Sequence, residues 1–234
     1  MSEFYSALTT STRLIVNFDP DLTEIVLLSL KVSLTAVALA AAIGLPLGAA
    51  VALFRFPGRG LVAALLNAFM GLPPVVVGLA LYLALSRSGP LGALGLLFTP
   101  AAMIIAQSIL ITPIIAALTR QTIADLNEEY DEQLQALGAR GLRKMCTLLW
   151  DGRFSLLTAI LAGFGRASAE VGAILIVGGN INHVTRVMTT SIALETSRGN
   201  LSLALALGLI LIALSISVNA AAMAVRDVAY RYYR

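Results

Sequence analysis

Cysteine and histidine each occur once in the 234 residues, as Cys146 and His183. A single cysteine excludes an intrachain disulfide framework and a cysteine metal cluster. A single histidine argues against a histidine-built metal site within one chain, so no metal is expected. Lysine occurs twice, as Lys31 and Lys144, and the residues before them are Leu30 and Arg143. A phosphate-binding loop of the Gly-Lys kind needs glycine there, so the chain cannot supply one. Charged residues make up 12% of the chain, about half the share usual in a soluble domain. Residues 1–21 are mixed and polar, with no apolar core of the kind found in secretion signals, so no cleavable signal is expected.

Apolar sequence fills the space left by the missing charge. Hydrophobic residues are 58% of the chain and the mean hydropathy is +0.88. Several uninterrupted apolar runs reach the roughly 20 residues a helix needs to cross a hydrocarbon core. The chain is therefore expected to be an all-α integral membrane protein with five transmembrane helices. The predicted spans are about 23–54, 61–85, 101–118, 154–177 and 201–225. Pro46 between Gly44 and Gly48 should loosen the first, Pro73-Pro74 should interrupt the second, and Pro113 lies in the third. Tolerance of such breaks requires water, a cavity or neighbouring helices to satisfy the freed backbone groups. A pathway and simple packing irregularity both fit that requirement. No internal repeat is visible.

Five spans put the termini on opposite sides. With the loop 120–153 inside, the inner face collects Arg55, Arg59, Arg120, Arg140, Arg143, Lys144, Arg153, Arg226, Arg231 and Arg234. The outer face keeps Arg13, Arg87, Arg186 and Arg198, while Lys31 and Arg166 fall within spans. Ten against four is the bias expected of a cytoplasmic face. Residues 1–21 are then extracytoplasmic, and 227–234 form a cytoplasmic tail. The pI near 9.3 and formal charge of +3 follow from this topology, and no nucleic-acid partner is implied.

The loop 120–153 is unusual because it carries 11 of the 29 charges in 34 residues. Tyr130, Leu134, Leu137, Gly141 or Leu142, and Met145 recur at helical spacing between those charges. This predicts a short amphipathic helix broken near Gly138-Ala139-Arg140-Gly141. A connector lying in the lipid headgroups accounts for it, and so does a docking element for a soluble cytoplasmic partner.

The run Asp131-Glu132-Gln133-Leu134-Gln135-Ala136-Leu137-Gly138, with Leu148-Leu149 and an apolar span beyond, resembles the EAA loop of ABC importer permeases. It departs from that motif at Leu134, where a small residue is usual, and at Trp150-Asp151, where proline is common. GFGRASAEVGAILIVGGNI at 163–181 resembles the fourth core span of the molybdate/tungstate/sulfate branch. LPLG at 45–48, RFPGRG at 55–60 and LPPVVVG at 72–78 fit the same branch, and TRVMTTSIALETSRGN at 185–200 is most similar to its tungstate members. The resemblance covers about 22–226, which it marks as a type I transmembrane domain.

The resemblance implies a multi-pass permease subunit in the cytoplasmic membrane of a prokaryote, translocating tungstate and performing no bond chemistry. Molybdate and sulfate are the alternative cargoes. No cofactor is implied for this chain. Two copies would pair, each receiving one of two cytoplasmic ATPase subunits, with an extracytoplasmic oxyanion-binding protein at the outer mouth and lipid around the whole. ATPase coupling falls to Asp131, Glu132, Leu134, Gln135, Ala136, Leu137, Gly138 and Arg140. The missing Gly-Lys pair agrees that the ATPase must be another chain.

Arg166 and Glu170 lie four apart on one helix face. Ionisable residues in a span are functional candidates by default, yet a mutually neutralising pair also serves to fix one helix against its neighbours. Lys31 is read as reaching toward the outer interface. His183, Arg186 and Arg198 lie in a polar outer segment that contains a short helix ending at Gly199-Asn200. They are candidate contacts for the binding protein, or part of a solvated connector. A secondary transporter and a non-transporting scaffold are the competing classes. The first is disfavoured by the lack of repeats and of clustered membrane acids.

Overall fold

The computed structural model describes residues 20–232 together with Thr9 and Thr12, and side chains as far as Ala224. Arg13, most of the expected segment 1–21, and the side chains of Arg226 and of 227–234 therefore lie outside the described residues. Every regular element among the described residues is helical. In chain order they are α1 (Pro20–Leu53), α2 (Arg59–Phe69), α3 (Pro74–Leu85), a 3-10 turn (Gly92–Leu94), α4 (Pro100–Ala136), α5 (Gly141–Asp151), α6 (Arg153–Ser168), α7 (Gly172–Gly178), α8 (Met188–Ser197) and α9 (Leu201–Tyr232).

Helix α4 is the central mast, with α1, α2, α3, α5, α6 and α7 all packed against it. Buried Met103, Ala106, Leu110, Ile111, Ile115, Ala116 and Ile123 follow one another along its length and belong to four successive apolar clusters. Its main partner is α1, and the reason is legible in a single ridge. Val32, Ala36, Ala40, Gly44, Gly48 and Ala52 recur every fourth residue and all are buried. Small residues at that spacing let two backbones approach closely, which is how helices associate where lipid removes the hydrophobic drive. A Cβ on Gly44 would sit 3.1 Å from the Ile115 Cβ. One on Gly48 would strike the Ala116 carbonyl and lie 2.8 Å from the Thr119 Cβ. Pro46, between the two glycines, is exposed on the opposite side.

Three helices, α1, α4 and the Leu201–Ala224 part of α9, are long and apolar enough to cross a membrane alone. The count rises to five if each of two bent pairs is one span. The expected span 61–85 is such a pair, α2 and α3, bent by 102° where Leu72-Pro73-Pro74 cannot continue a helix. The second bent pair is α5 and α6, so the expected span 154–177 is not one of the five; it divides into α6 and α7 around Ala169-Glu170-Val171. The third span does not end near 118. It runs on as α4 to Ala136, so the first half of the charged loop is the continuation of a membrane helix.

Helix ends are closed by side chains. Arg59 donates from Nε to the Val51 carbonyl at 2.7 Å and from its guanidinium to the Ala52 carbonyl at 2.7 Å, capping α1. A cation there also suits the negative end of the helix. Thr99 caps α4 by accepting from the Ala102 amide, and Pro100 occupies the first helical position, where its missing N–H costs nothing.

The glycine ridge makes a ranked prediction for thermal unfolding of the detergent-solubilised protein. Gly48→Ala should destabilise most, by about 1–3 kcal/mol as overpacking does, and Gly44→Ala less. Gly60→Ala, where a Cβ meets nothing within 4 Å, should be neutral or slightly stabilising. A Gly48→Ala melt no lower than that of Gly60→Ala would refute the close approach.

Candidate functional site

The charged segment folds as a helix end, a tight reversal and a second helix. Asp131 to Ala136 form the last turns of α4, Leu137 is the C-cap, Gly138 turns with φ +73°, and Arg140 precedes α5. The Ala139 amide reaches back to the Leu134 carbonyl at 2.8 Å and the Gly138 amide to the Gln135 carbonyl at 3.0 Å. That pair of bonds is a Schellman closure, which needs a left-handed residue where Gly138 stands. A Cβ there would meet nothing within 4 Å. Glycine is thus required by backbone conformation, not by crowding.

Of the eight residues singled out for coupling, Leu134 alone is buried. It packs with Ala49, Ala52, Ile123, Ala139, Leu148 and Leu156, joining the segment to α1, α4, α5 and α6. A small residue at that position would not reach this cluster. Asp131 is half-buried; Glu132, Gln135, Ala136, Leu137, Gly138 and Arg140 are exposed, with Leu137 at 81%. Lys144, which the motif did not point to, reaches across the reversal to form an ion pair with Asp131. Gln135 donates to the other Asp131 oxygen at 2.9 Å. The Lys144 bond above all, then that of Gln135, holds the Asp131 carboxyl below its ordinary value. The two helices of the segment are thereby fixed as one body.

Beyond α5 the chain bends by 75° at Gly152 into α6. Trp150 is exposed there, with the Arg153 guanidinium 4.8 Å from its ring centre and 4.5 Å from that of Phe154. Aromatic rings paired with a cation are a common arrangement at membrane interfaces. The departure from the motif at Trp150-Asp151 coincides with this corner.

The second group surrounds the break between α6 and α7. Glu170, with a side chain only 4% exposed, accepts an ion pair from Arg166 at 3.4 Å on one oxygen and the Ala173 amide at 3.1 Å on the other. Gln107 of α4 donates to the Ala167 carbonyl at 3.0 Å, and Thr189 of α8 donates to the Glu170 carbonyl at 2.9 Å. Side chains from three elements therefore satisfy the polar groups that the interruption frees. Helices α3 and α7 meet beside it, where a Cβ on Gly78 would lie 2.9 Å from the Ala173 Cα.

The outer candidates separate into two places. His183, in a left-handed conformation with φ +58°, bonds through Nδ1 to Glu24 at 2.7 Å. It shares a shallow pocket with Asp21, Asn182 and Arg186. Arg186 donates to Asn182 at 2.9 Å. Arg198 is elsewhere, at the junction of α8 and α9, paired with Glu195 at 3.3 Å, which also accepts from Asn200 at 3.0 Å. The ligand-type atoms of Asp21, Glu24 and His183 lie within 4.8 Å of one another, but all three residues are exposed and the direct bond occupies one of them.

Comparison with known proteins identifies the family. Residues 44–226 match the family described as binding-protein-dependent transport system inner membrane component. The chain is 42% identical over 185 residues to a probable anion ABC transporter permease protein of Haloferax volcanii, covering 77% of this chain and 80% of the relative. It is 42% identical over 187 residues to the tungstate uptake system permease protein TupB of Peptoclostridium acidaminophilum, covering 80% and 82%. Similarity to the sulfate transport system permease protein CysW of Escherichia coli is lower, 29% over 183 residues, covering 75% and 63%.

The Glu24 hydrogen bond, and then its charge, raise His183 above its ordinary value of 6.5. A raised value means that the tether between the outer segment and α1 is fully present below pH 6.5 and is lost as pH rises through the folded value. Hydrogen exchange at the amides of 181–186, corrected for intrinsic rate, should therefore quicken across that rise in the wild type and show no such step in Glu24→Gln. Identical profiles for the two proteins would contradict it.

Proposed function

The chain belongs to the binding-protein-dependent transport system inner membrane component family, and on that premise we propose that it translocates tungstate in an ATP-driven importer. It is a multi-pass inner-membrane permease with the all-helical type I ABC fold, a transport subunit and not an enzyme. The observation that carries the cargo assignment is the 42% identity to a tungstate permease over four fifths of both chains, against 29% to a sulfate permease. Molybdate and sulfate are the alternatives to be tested beside it.

In this reading two copies pair around the route, and each offers its reversal at Leu137-Gly138 to one cytoplasmic ATPase subunit. Exposed Glu132, Gln135, Leu137 and Arg140 make the contact, while Asp131 with Lys144, and Leu134 with its cluster, transmit the displacement into α4, α5 and α1. The charged end lies in the cytoplasm and the N-terminus outside, as the positive-inside bias indicates. An extracytoplasmic oxyanion-binding protein delivers the cargo to the outer mouth, where His183 and Arg186 are contact candidates on one patch and Arg198 on another. The chain itself uses no cofactor.

Proteoliposomes containing the permease and its ATPase, with ATP inside and loaded binding protein outside, test the reading directly. Tungstate should accumulate only with ATP, and faster than molybdate or sulfate under equal binding-protein occupancy. Uptake that ignores ATP and collapses with an ionophore would instead indicate a secondary transporter, and no uptake of any oxyanion would indicate a scaffold.

The coupling assignment has its own variants. A non-glycine residue at left-handed Gly138 costs about 1–2 kcal/mol locally, and asparagine tolerates that region better than a β-branched residue. Gly138→Val should hydrolyse ATP with little uptake while inserting into the membrane normally, and Gly138→Asn should retain more uptake. Normal uptake by Gly138→Val would remove the reversal from the mechanism.

A further inference from the structure

Arg166 lies 13 residues beyond the corner at Arg153, which along a helix is about 20 Å. It stands just before the break between α6 and α7, midway along the expected span 154–177. Its side chain remains 36% exposed while its partner Glu170 is 4% exposed. A guanidinium facing hydrocarbon is costly, and arginines in spans escape that cost by reaching the headgroups or by facing water or protein. Reaching is excluded here, because Glu170 holds the guanidinium at 3.4 Å. The exposed part therefore faces something other than lipid.

The same helix face shows what that is. Ala162 and Thr158 stand one and two turns before Arg166 on its i, i+4 ridge. Both line an open cleft between α6 and α9, where Thr158 and Asn219 stand among the apolar Leu157, Leu161, Ala222 and Met223. Arg166 stands one turn beyond Ala162 on the ridge that borders this cleft, and Asn219 donates to the Ser215 carbonyl of its own helix at 2.9 Å. We infer that this face of α6 walls the aqueous route, and that Arg166 is the specificity-determining group that meets a divalent tetrahedral oxyanion in passage. The inference rests on the permease reading. Glu170 is the positioning residue, fixing the guanidinium and offsetting its charge. Conduction requires attraction weak enough for release, and an arginine already paired on one side supplies that.

Labelling tests the placement without relying on turnover or cargo identity. In a Cys146→Ser background, Arg166→Cys in the assembled transporter should react with a small anionic, membrane-impermeant thiosulfonate, and tungstate should slow the reaction. Reaction with a lipid-soluble maleimide alone, or with neither reagent, would overturn the placement even if tungstate uptake itself is established. Transport variants then separate contact from structure. Arg166→Gln should lose at least about tenfold in uptake with ATP hydrolysis and assembly intact, while Arg166→Lys retains most of it. The double variant Arg166→Gln with Glu170→Gln removes both charges of the pair. A purely structural pair would be rescued by that neutralisation, whereas an oxyanion contact would not. Rescue, or undiminished uptake by Arg166→Gln, overturns the inference.

Discussion

A backbone amide or carbonyl without a partner inside hydrocarbon costs several kcal/mol, and this chain interrupts its spans repeatedly. The architecture follows from how those interruptions are closed. Gln107 of α4 and Thr189 of α8 reach the gap between α6 and α7, and Glu170 within the gap accepts from the Ala173 amide. Arg59 closes the end of α1 from the first residue of the following helix. Each closure also joins two parts of the fold.

Between the joints, cohesion comes from shape. The Val32–Ala52 ridge of small side chains brings α1 against α4 almost backbone to backbone, so the pair behaves as one unit. Leu134 and Lys144 extend that unit through the charged reversal, one by packing and the other by charge. A push on exposed Leu137 is therefore not absorbed in a loose loop. It enters a body that includes α1, α4 and α5.

The membrane-spanning class, the charged segment and the kinks at Pro73-Pro74 were legible in the sequence, because apolar runs, charge density and proline act over short distances along the chain. Of the five expected spans, three stand as single helices among the described residues. The resemblance carried the family, which the comparisons established independently. What could not be read depends on partners far apart. Gln107 and Ala167 are 60 residues distant, and Glu24 and His183 are 159; no local pattern joins them. The grouping of His183, Arg186 and Arg198 reflected their nearness along the chain, and folding sends Arg198 to another junction. Leu134 read as a departure from a motif until its buried neighbours gave it a reason. The continuation of α4 past residue 118 was hidden because charge density marks where lipid ends, not where a helix does.

That continuation has a mechanical consequence. At 37 residues, α4 is about 55 Å long, nearly twice the thickness of a hydrocarbon core of about 30 Å. A rod that overhangs the bilayer on one side, moving as one unit with α1, is a lever. Force applied at the overhang is exchanged for displacement at the buried arm, and a tilt of a few degrees moves its two ends in opposite directions. Under the proposed coupling, opening at one face of the membrane and closing at the other would be a single motion, with no relay of separate conformational changes.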